Sequence, residues 1–195
     1  MLIISLLLVY PGCVRKSTPE TAVEQLIEAS RTFDFQAMGQ AVSPEVRNRA
    51  DLEEFWQEGE EDLIQNAAVD YLLHNNAKMT YTIRDMEING DRAQVKVDFV
   101  YVDGLPVVVE ATVLFINQAL QAALSGQALT DTETAELFAK VLSQIRTERI
   151  EVFRNETITF PCVLIGGGWY VDDLSPQFLN VILSNISQLG ETTAF

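Results

Sequence analysis

Histidine is nearly missing from this chain of 195 residues: His74 is the only one, so a His-based triad or a multi-histidine metal centre has no material to be built from. Cysteine is almost as scarce. Cys13 and Cys162 cannot make a disulfide framework, and no Cys or His spacing resembles a zinc site. No metal ligand set and no cofactor motif is therefore expected, and catalysis would have to run on carboxylates, Tyr or Lys. Positive charge is short as well: 13 Lys and Arg against 28 Asp and Glu give a formal charge of −15, which repels phosphate backbones. Arg47 and Arg49 lie close together, as do Arg146 and Arg149, but acids flank both pairs and no aromatics interleave with them. No nucleic-acid partner is expected. What the chain does have is apolar content, 48% with 9% aromatics, which excludes the polar composition of disordered chains. Its length suits one domain with a full core.

The first such segment is Leu2 to Tyr10, an apolar run of signal-peptide length that falls short of the ~20 residues needed to span a bilayer. Tyr10-Pro11-Gly12-Cys13 then breaks it and sets a small residue directly before a cysteine. This resembles the bacterial lipobox, in which a dedicated peptidase cuts before a cysteine whose thiol carries diacylglycerol. Tyr10 and Pro11 stand where the usual pattern has Leu and a small residue, and no basic residue precedes Leu2. The other reading keeps residues 2–9 as a buried element and Cys13 as a small hydrophobe. The resemblance implies a signal peptide over 1–12, lipidation of Cys13, a tether over 13–17 and a single domain over 18–195. The protein would then sit outside the cytoplasm, anchored through lipid to the outer face of the cytoplasmic membrane.

Within that domain, Thr18-Pro19-Glu20 opens a helix whose stripe is Val23, Leu26, Ile27, Ser30 and Phe33. Asp34 caps a second, short helix, and Ser43-Pro44 restarts the pattern. A helical period over 51–73 follows, with Leu52, Phe55, Trp56, Leu63, Ala67 and Tyr71 on one side. Its acids, Glu53, Glu54, Glu58, Glu60, Glu61 and Asp62, lack the alternate-residue spacing of a calcium loop and read as a solvated face. After Lys78 the period becomes two. Met79, Tyr81 and Ile83 alternate, then Met86 and Ile88 on the other parity, which predicts a bulge near Arg84 and Asp85. Asn89-Gly90 turns the chain into a second strand carrying Ala93, Val95, Val97, Phe99 and Tyr101 on one face. Residues 106–116, apolar on both faces apart from Glu110 and Thr112, predict a third strand at the centre of the sheet. Helices are expected at 117–125 and 130–145, the latter opened by a Thr130/Glu133 capping box. Strands at 147–160 and 162–171 follow, with Gly166-Gly167-Gly168 read as a hairpin turn rather than a phosphate loop, since no helix follows it. Ser175-Pro176 caps a last helix bearing Phe178, Leu179, Ile182, Leu183 and Ile186.

This order, with the Thr-Pro-Glu opening, the "FDFQAM" element, the helical stretch "NQALQAALSGQALTDTETAELFAKVLSQI" and the closing "GGGWYVDDLSP", resembles the cystatin-like, nuclear-transport-factor-two-like domain lipoproteins of Gram-positive bacteria. The likeness runs over 18–189. It implies an α+β fold: a cone-shaped, curved antiparallel sheet packed on N-terminal helices, a helical insertion after the third strand and a C-terminal helix. Enzymes of that superfamily use an Asp, Tyr or His inside the cone as base or oxyanion donor. The pieces available here are Asp85, Asp98, Tyr101, Glu110 and His74, and a pocket of Asp98, Tyr101 and Glu110 is the expectation to test. Glu110 would have a raised pKa if it faced the cavity from an apolar strand; the alternative is an outward or internally satisfied carboxylate. His74 reads as a helix C-terminal residue and Cys162 as a buried strand residue. No catalytic constellation assembles, so the expected function is a non-enzymatic surface module that binds a small ligand or a protein partner. The alternative is a small carboxylate-dependent hydrolase or isomerase. Relatives of this fold pair through their exposed sheet face, so a homodimer is compatible with it.

Overall fold

A computed structural model describes residues 17–49 and 67–191. The signal-peptide, Cys13 and tether readings up to residue 16, and the helix and acidic face read over 51–66, lie outside the described residues. Helix α1 (Pro19–Arg31) starts where the Thr18 side chain accepts from the Thr21 N–H, and it buries Val23, Leu26, Ile27 and Ser30. The Ser30 hydroxyl is satisfied inside the apolar face by donating to the Leu26 carbonyl, 2.7 Å away. Helices α2 (Phe35–Ala41) and α3 (Pro44–Arg47) begin at the Asp34 and Ser43 caps. Helix α4 (Ala67–Asn76) then leads into the sheet.

Strands β1 (Thr80–Asn89) and β2 (Arg92–Val102) form a hairpin whose turn contains Gly90, at a φ of 66° that favours glycine. The register passes from Ile83 opposite Val97 to Asp85 opposite Lys96, so Arg84 is the extra residue of a bulge. That bulge explains the parity switch: Ile83 and Met86 both pack against the core although they are three residues apart. Helices α5 (Leu105–Leu124) and α6 (Asp131–Glu148) come next, then β3 (Phe153–Ile165) and β4 (Gly168–Val171). The sheet is open and antiparallel throughout, in the order β1-β2-β3-β4. Helices α7 (Pro176–Ile182) and α8 (Gln188–Glu191) close the described chain. The fold is α+β.

The main core lies between α1 and the inner face of β2, β3 and β4. Phe99, Phe160 and Phe178 meet at its centre, with ring centroids 5.1 to 6.2 Å apart, and each is at most 1% exposed. A second, separate cluster gathers Tyr71, Ala111, Val141, Leu142 and Ile145 where α4, α5 and α6 meet.

Three sequence expectations are corrected. Residues 106–116 are not a third, central strand but the first half of α5, so the helix predicted at 117–125 begins at Leu105 and the helical pair follows the second strand. Apolar residues on every side fit a doubly buried strand and a helix equally well, and periodicity cannot choose between them. The choice falls to α6, against which α5 packs Phe115 edge-on to Phe138 at 5.6 Å. The Thr112 hydroxyl donates back to the Val108 carbonyl, 2.8 Å away, a bond that only the helix offers. The next strand starts at Phe153, since α6 runs to Glu148, and it continues unbroken through Pro161. The last helix also stops early. Ser184 and Asn185 adopt φ values of 50° and 64°, which lets the Ser184 carbonyl accept from the Gly104 N–H at 2.8 Å and the Asn185 amide donate to Asp103 at 3.1 Å. A Cβ on Gly104 would lie 3.1 Å from both Ser184 Cβ and a Tyr71 ring carbon, so any side chain here would press these neighbours back by a few tenths of an ångström.

Candidate functional site

The three residues expected to share a pocket do not converge. Asp98 lies on the outer face of β2, where Arg84 donates to one oxygen at 2.6 Å and Thr157 to the other at 2.7 Å. The Thr157 hydrogen bond and the Arg84 guanidinium hold its carboxyl below the usual range. Tyr101 points to the opposite face, 4% exposed in the core, and burial pushes its phenol up. Glu110 stands on the exposed side of α5 and pairs with Arg149. These are a cross-strand ion cluster, a core tyrosine and a helix-to-loop pair, in three directions. His74 occupies the last turn of α4, and desolvation with the nearby Lys78 and Arg146 lowers its pKa. Cys162 is buried in β3, where burial drives its thiol up to about 12, away from nucleophilic use. Among the described residues no three His, Cys, Asp or Glu side chains form a metal-binding group.

A different set of residues does converge. Ala139, Leu142, Ser143 and Arg146 recur at helical spacing on one face of α6, and Ala67, Asp70 and Tyr71 face them from α4. Between the two helices lies a pocket of about 200 Å³. Tyr71 and Arg146 also wall a smaller void of about 20 Å³ reaching toward Asn75 and Asp103. Asn75, one helical turn beyond Tyr71, is 2% exposed; its Nδ2 makes no well-formed hydrogen bond but lies beside the Tyr71 hydroxyl, whose pKa it pulls down against the larger upward pull of burial. Burial raises the Tyr71 phenol, which therefore stays a hydrogen-bond donor through the physiological range. The neighbouring charges are largely paired: Glu110 with Arg149, Glu151 with Lys78, and Asp103 with Arg154 at 2.7 Å. Sequence reading placed Tyr71 on a helical stripe and Arg146 in an acid-flanked basic pair, passed over Asn75, and did not group the three. Their i, i+4 and i, i+3 spacings within each helix were visible, but the packing of α4 on α6 was not.

The second unexpected feature is α5 itself. Of its 20 residues only Ala111 is buried, and Glu110 is its only charge. Val109, Val113, Ile116, Leu120 and Leu124 form an exposed stripe, with Val113, Ile116 and Leu120 at 55 to 56% and Leu124 at 80%. From Ala111 to Thr130 the chain carries no charged residue at all. By length and composition α5 matches a membrane-spanning helix. No family model, curated protein or solved structure matches this chain.

Proposed function

We propose that this chain is a non-enzymatic binding module, held at the outer face of the cytoplasmic membrane by lipid on Cys13, that pairs with a second copy of itself through the apolar face of α5. The exposed stripe on that helix carries the reading. Its spacing of four, three and four residues from Val109 to Leu120 is that of a helix–helix seam, and it reads the same when inverted. An antiparallel second copy therefore sets Val109 against Leu120 and Val113 against Ile116 in a two-fold contact. Two chains of charge −15 repel each other, but the stripe brings no like charges together.

The bilayer is the other apolar surface available, and the strand register argues against it. The Trp169 N–H donates to the Ser17 hydroxyl, and Trp169 pairs with Leu164, at the Gly90 and Gly166 end of the sheet. Helix α5 leaves the opposite end, three residues after Val102, which pairs with Phe153. Ten residue steps of β2 separate these ends by roughly 33 Å, so α5 begins about that far from the end of the sheet where Ser17 is held, which favours a second copy over the membrane as its partner. We read α1 and the sheet as a cystatin-like unit in which the α5–α6 hairpin stands where a further strand was expected; α1 packed across an antiparallel sheet supports this.

A helix face about 30 Å long and roughly 12 Å wide covers about 360 Å² per copy. The total, about 700 Å², is below the ~1,200–2,000 Å² of stable complexes, so the pair is weak and relies on concentration in the membrane plane. Sedimentation of the full chain in detergent tests it. The mass rises from one chain toward two with concentration, more so at high salt, and the Val113→Glu, Leu120→Glu double variant stays at one chain. A single-chain mass at every concentration overturns the pairing. Intact-mass spectrometry of membrane-extracted protein tests the anchor, and an unmodified chain beginning at Met1 overturns it.

A further inference from the structure

The α4–α6 pocket rests on residues that the α5 pairing does not use. Arg146 is only half-buried at its wall, yet among the described residues it has no acid within ion-pair distance, in a chain with more than twice as many acids as bases. The charges facing the pocket and its lower void are Asp70 on α4, Arg146 on α6, the Arg149 and Glu151 loop, and Asp103. The last three are neutralised by Glu110, Lys78 and Arg154. Arg146 and the exposed Asp70 thus remain as the pocket's two charges without an ion-pair partner, and Arg146 stands beside two uncharged groups, the Tyr71 side chain and Asn75. A buried amide hydrogen without a partner is costly, and native interiors rarely leave one so. The 20 Å³ void below Tyr71 is large enough for one water, which would carry the Asn75 donor toward the pocket.

We infer that this pocket binds a small monocarboxylate, its carboxylate held by the Arg146 guanidinium and the Tyr71 hydroxyl, with Asn75 donating through one bridging water. A planar guanidinium matches a carboxylate with two parallel hydrogen bonds. Asp70 on the same pocket works against a second negative charge, which selects monocarboxylates over dicarboxylates and phosphate. Ala67, Ala139 and Leu142 offer an apolar wall for a short hydrocarbon tail. The 200 Å³ volume is smaller than a drug-sized site and takes roughly seven non-hydrogen atoms at about 30 Å³ each.

The test is an NMR titration of the isotope-labelled full chain with butyrate, against butyramide as the neutral isostere and succinate as the dianion. Butyrate is expected to give saturable shifts at Tyr71, Asn75 and Arg146. Butyramide and succinate should bind at least about fivefold more weakly, and Arg146→Gln should weaken butyrate about tenfold. Tyr71→Phe, which removes only the hydroxyl, should weaken butyrate severalfold and leave butyramide nearly unchanged. Three results overturn the inference: no saturable shift, butyramide binding as tightly as butyrate, or a folded Arg146→Gln variant that binds butyrate like the parent. None of these depends on whether the chain pairs through α5, which is read from mass alone.

Discussion

Ala111 and Val113 are two residues apart, and that spacing separates the two structures the segment 105–116 can take. On a strand they share a face; on a helix they diverge by about 200°. Ala111 is fully buried in the second cluster with Val141, Leu142 and Ile145, whereas Val113 is 55% exposed. Ala111→Leu forces three extra carbons into a contact without space for them and should cost about 1–3 kcal/mol. Val113→Ala loses a little partial burial and gains about 0.5 kcal/mol of helix propensity, so its net effect stays within about 0.5 kcal/mol. The separation of about 2 kcal/mol corresponds to about 4–8 °C in midpoint for a chain of this size. Thermal unfolding followed by far-UV circular dichroism, at concentrations too low for pairing, reads both variants. Equal losses at the two positions, or no loss at Ala111, would refute the helix and restore the strand.

Further outcomes follow from the same geometry. Phe178→Ala, at the centre of the aromatic trio, should lower stability by about 3–5 kcal/mol in urea unfolding; a loss below about 1 kcal/mol contradicts the packing. Asp98 is held below its ordinary pKa, so its contribution is present above the unfolded value near ~3.9 and disappears as pH falls through the lower folded value. Asp98→Asn should therefore weaken the fold near neutrality and converge on the parent in acid, whereas a gap independent of pH rejects the Arg84–Asp98–Thr157 cluster. Cys162 should resist alkylation in the folded protein and react on denaturation, and rapid native labelling would place it elsewhere. Hydrogen exchange should be slowest in β2 and β3, between their neighbours, and fast at the α5–α6 tip; equal protection at the tip would show cover over that hairpin.

Signals confined to one element were legible in the sequence. The caps at Thr18, Asp34, Ser43 and Ser175, the Thr130–Glu133 capping box and the Arg84 bulge each depend on residues within one turn or one strand pair. Of the candidate site, the donor types were visible but their grouping was not. Asp98 and Tyr101 are three apart on a regular strand, so alternation alone sends them to opposite faces, and Glu110 belonged with them only while its segment was read as a strand.

The sequence by itself determined the α+β composition, the alternating inner face of β2 from Ala93 to Tyr101, the turns at Gly90 and Gly166, and the burial of Cys162 in a strand. These are matters of local steric preference and apolar period, which a chain carries wherever it folds. Only the tertiary structure decided that 105–116 is helical, that α7 ends at Ile182, and that Tyr71, Asn75 and Arg146 meet. In each case two local solutions were nearly equal. Contacts from distant segments broke the tie: Phe138 against Phe115, Asp103 and Gly104 against the left-handed turn at Ser184 and Asn185, and α6 against α4.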